Sequence, residues 1–360
     1  MRFLFLNQYF PPDPAPTGIL LKEIADALTA AGHEVAFASS GQDYRAGQKK
    51  GSRLKREIGG LCRLFKAAMA SGPADGVISA TSPPLLVVVG AVVARLKRAR
   101  HYHWLFDMYP ELATALGELR PGALASIFSA LARWAYRRAD CVVALDEDMA
   151  DRLKGYGVTA KMIPPWVFES LIRARGQPPF PPASNAAGLL WLYSGNLGRA
   201  HEWRTLLDAQ RLLEQAGAPW RLVFQGGGPS WAAAQAYARE IGLARCDWRP
   251  YVPEQQLPAS LLAADVLVVT QKPETCGLLW PSKLALVTSL PRPILWVGLT
   301  DRAIARDLAT LPQAATFPPG DAAGISNWLS TSATSLPCAP RDPKELRQTA
   351  LRQWLDILSE

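Results

Sequence analysis

Short apolar runs alternate with amphipathic stretches along the whole chain. Arg2–Leu6 is apolar and predicts a strand. Residues 7–18 form a proline-stiffened loop, and Ile19–Ala30 has the period of a helix that Gly32 stops. His33–Ala38 predicts the next strand. Gly76–Ser79, His101–Phe106 and Cys141–Leu145 repeat the pattern, and Lys161–Val167 reads as a last strand and exit. This is the order of a doubly wound sheet. Residues 174–188 are rich in proline and small residues, which exclude regular structure there.

After that linker the pattern restarts. Leu189–Tyr193, Arg221–Gln225, Asp265–Thr270 and Pro293–Val297 predict strands. The first two run into glycine-bearing loops before helices. Lys283–Leu290 and Asp301–Leu308 predict helices, and Asp342-Pro343 opens a final one. The expected fold is α/β: two doubly wound Rossmann-like domains facing a cleft. The first spans 1–173, the linker 174–188 and the second 189–335. Residues 336–360 form a C-terminal helix expected to pack back toward the first domain.

The 360 residues are 49% hydrophobic, enough for two or three real cores, and the net charge is +8. That charge points to an anionic partner: nucleic acid, a phosphorylated ligand or a membrane surface. No nucleic-acid-binding module is found, so charge alone suggests the first. The apolar run Leu85–Ala94 is too short to span a bilayer and leads into the basic stretch Arg95–Arg100. The N-terminus lacks a signal-peptide plan. Five scattered cysteines give neither a disulfide framework nor metal spacing, so a reducing cytosol is expected.

Arg45–Lys66 is a basic block: Arg45, Lys49, Lys50, Arg53, Lys55, Arg56, Arg63 and Lys66 against the single acid Glu57. Its second half can form a helix with Leu54, Ile58, Leu61 and Phe65 along one face. A solvated helix face is the plain alternative. The added basic and aromatic residues of Arg95–Arg100 and Arg133–Arg138 favour docking on an anionic membrane.

Chemistry concentrates in Gln271–Lys283, between a predicted strand and a predicted helix. Glu274 suits sugar hydroxyls, Gly277 lets backbone approach a ligand, and Lys283 with the helix start suits a phosphate. Asp107 and Glu111 form an acidic pair at another strand's carboxyl end, a place for an acceptor hydroxyl or a base. Gly18 stands where a helix start could offer an amide to a phosphate, or is a plain helix-start glycine; G-x-G-x-x-G is absent. Asp146-Glu-Asp148 matches a D-x-D metal tripeptide, but acids in a first helical turn explain it better. His101 and His103 share a strand face with no third metal ligand in view.

These segments resemble the family-four retaining glycosyltransferases of the GT-B fold, especially bacterial enzymes of exopolysaccharide, O-antigen and colanic-acid-like pathways. The matching pieces are residues 7–14 with Thr17-Gly18, 31–35, 107–111 and 194–199. Residues 226–229, 250–253 and 277–283 complete the set in the family's order. The resemblance implies metal-independent transfer, with retention, from a nucleotide sugar, first guess a UDP-sugar, to a lipid-linked or polysaccharide acceptor. No cofactor is implied beyond the donor itself. Glu274 would contact the donor sugar, and Arg199 and Lys283 would hold the diphosphate. Gly18, Gly195, Asn196, Gly227, Gly228, Gly277, Leu278 and Ser282 complete the donor side. Asp107, with Thr17, Tyr109 and Glu111, would lie on the acceptor side. Much of the wider family has a second glutamate where Ser282 stands, so the ribose contact departs from the pattern. The basic stretches, with the polyprenyl-diphosphate sugar that similar enzymes often take as acceptor, lead to the expectation of a cytoplasmic enzyme peripheral on the inner face of the cytoplasmic membrane. The rival readings are a nucleotide-sugar epimerase, which needs no acceptor, and a catalytically silent binding or scaffold protein of the same fold.

Overall fold

Two fully parallel six-stranded sheets carry the chain. A computed structural model describes residues 1–13, 15–40, 53–174 and 188–360, with side chains in the second helix described from residue 56. Arg45, Lys49 and Lys50, the side chains of Leu54, Arg53 and Lys55, and all but the ends of the expected linker lie outside the described residues.

The elements follow in chain order: β1 (Arg2–Leu6), α1 (Pro16–Ala30), β2 (Glu34–Ala38), α2 (Arg53–Ala70), β3 (Gly76–Ser79) and α3 (Leu86–Lys97). Then come β4 (Arg100–Trp104), α4 (Glu111–Ala115), α5 (Ala123–Arg138), β5 (Cys141–Ala144), α6 (Glu147–Gly155) and β6 (Lys161–Met162). The second half holds α7 (Glu169–Ala174), β7 (Leu189–Asn196), α8 (Arg204–Gln215), β8 (Trp220–Gly227), α9 (Trp231–Glu240) and β9 (Cys246–Arg249). It continues with α10 (Leu257–Leu262), β10 (Val266–Thr270), α11 (Lys283–Val287), β11 (Ile294–Val297), α12 (Ala303–Leu308), β12 (Ala314–Phe317), α13 (Ala322–Thr331) and α14 (Pro343–Ser359).

Two units form. One takes Met1–Pro165, Gly277–Trp280 and Arg347–Glu360; the other takes Trp166–Cys276 and Pro281–Leu346. Trp166–Arg173, expected in the first domain, thus fall in the second unit. Gly277–Trp280, expected in the second, fall in the first.

The first unit's sheet has the order β2-β1-β3-β4-β5-β6. Its central strands β1 and β3 are buried along almost their whole length, and Phe3, Leu4, Phe5 and Leu6 are all buried. Leu4, Leu6 and Val77 pack with Leu64 and Ala68 of α2 and with Leu86 and Val93 of α3. The core side of α2 is therefore centred on Leu64 and Ala68, with Leu61 and Phe65 at its margin. Ile58, expected on one apolar stripe with Leu61 and Phe65, lies off that core side and is 50% exposed. It sits six residues before Leu64, a spacing that turns it away on a 3.6-residue helix. Within the same unit Trp354 of α14 is fully buried and meets Trp104 with ring centroids 5.1 Å apart. Arg347 bonds Glu23 at 2.8 Å, a half-buried ion pair.

The second unit's sheet has the order β12-β11-β10-β7-β8-β9. Trp191 and Tyr193 of β7 and Leu222 and Phe224 of β8 pack with Leu206 and Leu207 of α8 and Ile325 and Leu329 of α13. The chain runs β7, β8, β9 to one side and then returns to β10 on the other side of β7. The strand order thus reverses between β7 and β10, and ligands of open α/β sheets bind at such a point, beyond the strands' carboxyl ends. The first sheet reverses between β1 and β3 in the same way.

β7 and β8 run past their expected ends, because Gly195 pairs with Gly226 and Asn196 with Gly227. Those residues are strand ends rather than loop. β9 and β12, Cys-Asp-Trp-Arg and Ala-Ala-Thr-Phe, had no predicted counterpart. Both are sheet-edge strands of partly exposed residues with little apolar signal. The expected helix Lys283–Leu290 is regular only over Lys283–Val287 and continues in turns to Leu290. Helix α1 begins at Pro16, so Thr17 and Gly18 lie inside its first turn.

Candidate active site

Lys283 opens α11, after Pro281 and Ser282. Its Nζ is buried and has no hydrogen-bond partner among the described residues. It stands 3.5 Å from the centre of the Tyr193 ring, a cation–π geometry. A Cβ built on Gly195 would lie 3.5 Å from the same Nζ, so the last turn of β7 reaches it too. Burial pushes the ammonium well below the usual lysine range. His201 Nδ1 lies 2.9 Å from the Thr270 carbonyl. Burial, then the neighbouring Lys283, drive that imidazole down to about 3, so it is neutral and Nδ1 is the nitrogen that donates.

Glycines shape the backbone around this lysine. A Cβ on Gly226 (φ 138°) would fall 2.1 Å from the Gly195 carbonyl oxygen. One on Gly228 (φ 129°) would fall 2.4 Å from Asn196 Oδ1. The Leu197 amide donates to the Gly227 carbonyl at 2.6 Å. Gly195, Asn196, Gly227 and Gly228 therefore form one tightly fitted edge beyond β7 and β8.

Arg199 and Glu274 join this edge through the backbone. The Lys272 amide donates to the Ala200 carbonyl at 2.8 Å, tying the loop of Arg199 to the turn of Glu274. That turn, Pro273–Thr275, is held by Gln271 Nε2 donating to the Thr275 carbonyl at 3.2 Å. Both side chains are exposed, as is Ser282. The second unit thus collects Gly195, Asn196, Arg199, Gly227, Gly228, Glu274, Ser282 and Lys283 at the switch point of its sheet. Helix α11 has only five residues. The buried ammonium, rather than a helix dipole, is what this edge offers an anion.

Gly277 and Leu278 sit elsewhere. The Met108 amide donates to the Leu278 carbonyl at 2.7 Å, and Asp107 bridges Leu279 in an antiparallel pair. Leu278 is buried, and a Cβ on Gly277 (φ 68°) would lie 2.8 Å from the Asp148 carbonyl and Arg152 Nε. Both residues are fitted into the first unit beside Asp107, which explains the glycine by close packing against α6.

Asp107 follows β4 and shares a small pocket with Thr81, Leu85, His103, Tyr109 and Tyr136. Burial raises its carboxyl to about 6. His103 Nδ1 and His101 Nε2 each lie 2.8 Å from Ser79 Oγ, which gives the two strand-face histidines a shared hydroxyl partner. His103 Nε2 is buried with no partner among the described residues. Leu85, at the head of α3, has φ 65°, a left-handed conformation uncommon for leucine. Glu111 opens α4, and its Oε1 accepts from Tyr156 Oη at 2.7 Å and from Ser129 Oγ of α5.

Thr17 Oγ1 meets Asn7 Nδ2 at 3.4 Å, and Asn7 is fully buried. Gly18 is explained by packing: a Cβ there would fall 2.5 Å from the Tyr9 carbonyl oxygen. Asp146 caps α6 by accepting from the Met149 amide at 2.8 Å, with Glu147 and Asp148 in the first turn. The helix-start account of that tripeptide is what the geometry shows. Burial raises the Asp146 carboxyl to about 6.

Sequence reasoning passed over Tyr193 and His201, which flank residues 194–199. Their signals were available: an aromatic at the end of a predicted strand, and a histidine two residues beyond Arg199.

Residues 17–169 match Glycosyltransferase Family 4. The chain has the two-domain α/β fold of the GT-B glycosyltransferases, and within it this stretch is similar to family four. WcaI of Escherichia coli (strain K12), named for colanic acid biosynthesis glycosyl transfer, is 24% identical over 79% of this chain and 80% of its own. WaaG, a glycosyltransferase involved in lipopolysaccharide biosynthesis, superposes with a TM-score of 0.63 at 16% identity, covering 98% of this chain and 94% of that one. Alr3699/HepE of Anabaena, solved with UDP, gives 0.60 at 14% identity, covering 100% and 97%. These two likenesses establish the fold.

Proposed function

We propose that this GT-B chain transfers a sugar, with retention at the anomeric carbon, from a UDP-sugar to a lipid-linked or polysaccharide acceptor in bacterial surface-polysaccharide synthesis. The carrying observation is Lys283. A buried ammonium without a hydrogen-bond partner is costly, and a diphosphate would supply both the missing charge and the missing acceptors. Arg199 adds a second, exposed cation on the loop tied to the Glu274 turn. Together they hold the diphosphate and stabilise the leaving group as charge develops. Glu274 accepts from donor-sugar hydroxyls. Asp107 takes the acceptor hydroxyl in the first unit. UDP as the nucleotide is supported by the UDP-bound structure of like fold. The surface-polysaccharide setting is supported by the names of WcaI and WaaG.

In this reading the transfer needs no divalent metal. Activity that disappears in excess EDTA and returns with magnesium or manganese would overturn that point.

No helix among the described residues is long and apolar enough to cross a membrane. In this proposal the enzyme works peripherally at the inner face of the cytoplasmic membrane, drawn by its net charge of +8.

The deciding experiment is calorimetric titration with UDP, followed by turnover of UDP-sugars with polyprenyl-diphosphate sugar acceptors. Tight UDP binding that is lost in Lys283→Gln, with product formed only when acceptor is present, supports transfer. Release of a free epimer without acceptor would replace transfer by epimerisation. Nucleotide binding without any turnover would point to a silent binding protein.

A further inference from the structure

Helix α5 shows solvent an apolar row. Leu124 is 47% exposed, Ile127 54%, Leu131 41% and Trp134 40%. Their spacing of three, four and three residues stacks them along one side of the helix. Another four residues continue that row to Arg138, next to Arg137. The helix contains three arginines, 133, 137 and 138, and no acid. Arg120 precedes it. Nearby acids are few: Glu118 lies before the helix, and Asp140 after it has its carboxylate taken by the His101 amide at 2.8 Å. Packed beside α5, helix α3 leaves Leu96 56% exposed between Arg95 and Lys97.

The inner side of the same helix carries acceptor-side residues. Ser129 holds Glu111, and Tyr136 lines the pocket of Asp107. Arg133 lies over the ring of Tyr156, whose hydroxyl also holds Glu111.

We propose that the outer row of α5 is the membrane-docking surface, with Leu124, Ile127, Leu131 and Trp134 entering the acyl boundary of an anionic leaflet and Arg120 and Arg138 meeting lipid phosphates. This deepens the peripheral, lipid-linked-acceptor reading above and rests on it. It moves the contact from the Arg45–Lys66 block to a helix whose other side holds the acceptor-side residues. An exposed apolar row flanked by one sign of charge fits a lipid interface. A second copy of the chain fits poorly, because a two-fold contact through this row would set arginines against arginines.

The test uses the full chain in sedimentation with vesicles of phosphatidylglycerol mixed with phosphatidylcholine, and of phosphatidylcholine alone. One variant changes Leu124, Ile127, Leu131 and Trp134 to serine; a second changes Lys49, Lys50, Arg53, Lys55 and Arg56 to glutamine. The α5 variant should lose about tenfold or more of its binding to the anionic vesicles. It should keep its thermal midpoint and its UDP affinity, since the row is exposed. Wild-type binding by the α5 variant, with loss confined to the glutamine variant, overturns the assignment to α5. Binding to neither vesicle by the wild-type chain overturns the membrane reading as well, and leaves UDP binding and transfer standing. A dimer in light scattering that the serine variant abolishes, without anionic-vesicle binding, makes the row a self-association surface instead.

Discussion

Lys283 Nζ stands 3.5 Å over the ring of Tyr193, buried and without a hydrogen-bond partner among the described residues. An aromatic face is a weak substitute for the water the ammonium has lost. The free enzyme therefore carries a cost at this point that a bound anion relieves. Lys283→Met should bind UDP at least about a hundredfold more weakly, the scale of a lost charge-assisted contact. It should also melt at a higher temperature than wild type, because an uncompensated buried charge is replaced by an apolar chain of similar length. The sign in pH follows. The folded lysine has a depressed value, so between it and the ordinary lysine range the unfolded chain binds more protons, and stability rises with pH there. That slope should disappear in Lys283→Met. A mutant with unchanged UDP affinity in calorimetry sinks the assignment.

Glu274 offers a cleaner separation of function from stability. Its side chain is exposed in a short turn whose shape is held by Gln271, not by the carboxylate. Glu274→Ala should keep its melting temperature and lose transfer by about a hundredfold or more, as for a contact made in the transition state. Near-normal turnover by the folded mutant removes it from the site.

Gly228 tests the fitted edge beyond β7 and β8. Its φ of 129° and the 2.4 Å approach to Asn196 Oδ1 leave no room for a methyl group. Gly228→Ala should destabilise the second unit by about 1–3 kcal/mol, a typical cost of forced backbone strain or overpacking. Thermal melting measures it, and a wild-type midpoint contradicts the packing account.

Much of this architecture was legible in the chain. Runs such as Phe3–Leu6 and Val266–Thr270 mark parallel strands because both faces of each sheet are covered. Asp146 announced its helix because caps are local. The misses share a cause as well. Edge strands β9 and β12 are partly exposed on both faces, so they lack the apolar run that betrays a central strand. Which side of α2 enters the core was not legible either: periodicity puts Ile58, Leu61 and Phe65 on one stripe, and packing chose Leu64 and Ala68 as the core side. At the site, the types and order of Arg199, Glu274 and Lys283 were visible, but Lys283's setting was not. That setting depends on Tyr193 and Gly195, far from it in sequence, and on the strand pairing between β7 and β10. Gly277 carries a constraint that its sequence does not announce: a glycine is required where the chain packs against the Asp148 carbonyl.

Asp107 makes the last prediction one of pH. Burial raises its carboxyl to about 6, above the ordinary aspartate range. If the carboxylate receives the acceptor hydroxyl, the transfer rate under acceptor-limited conditions should climb through about pH 6 and level off above it. Stability should move the other way. Between the ordinary aspartate range and about 6 the folded state binds more protons than the unfolded chain, so this group's contribution falls as pH rises through that window. Asp107→Asn should abolish the rise in rate, lower transfer by about a hundredfold or more, and remove the matching loss of stability. UDP affinity should stay as in wild type, since the residue belongs to the first unit. An unchanged rate profile in the mutant means that Asp107 is only a strand-end carboxyl buried beside Leu279, and that the acceptor hydroxyl is met by another group.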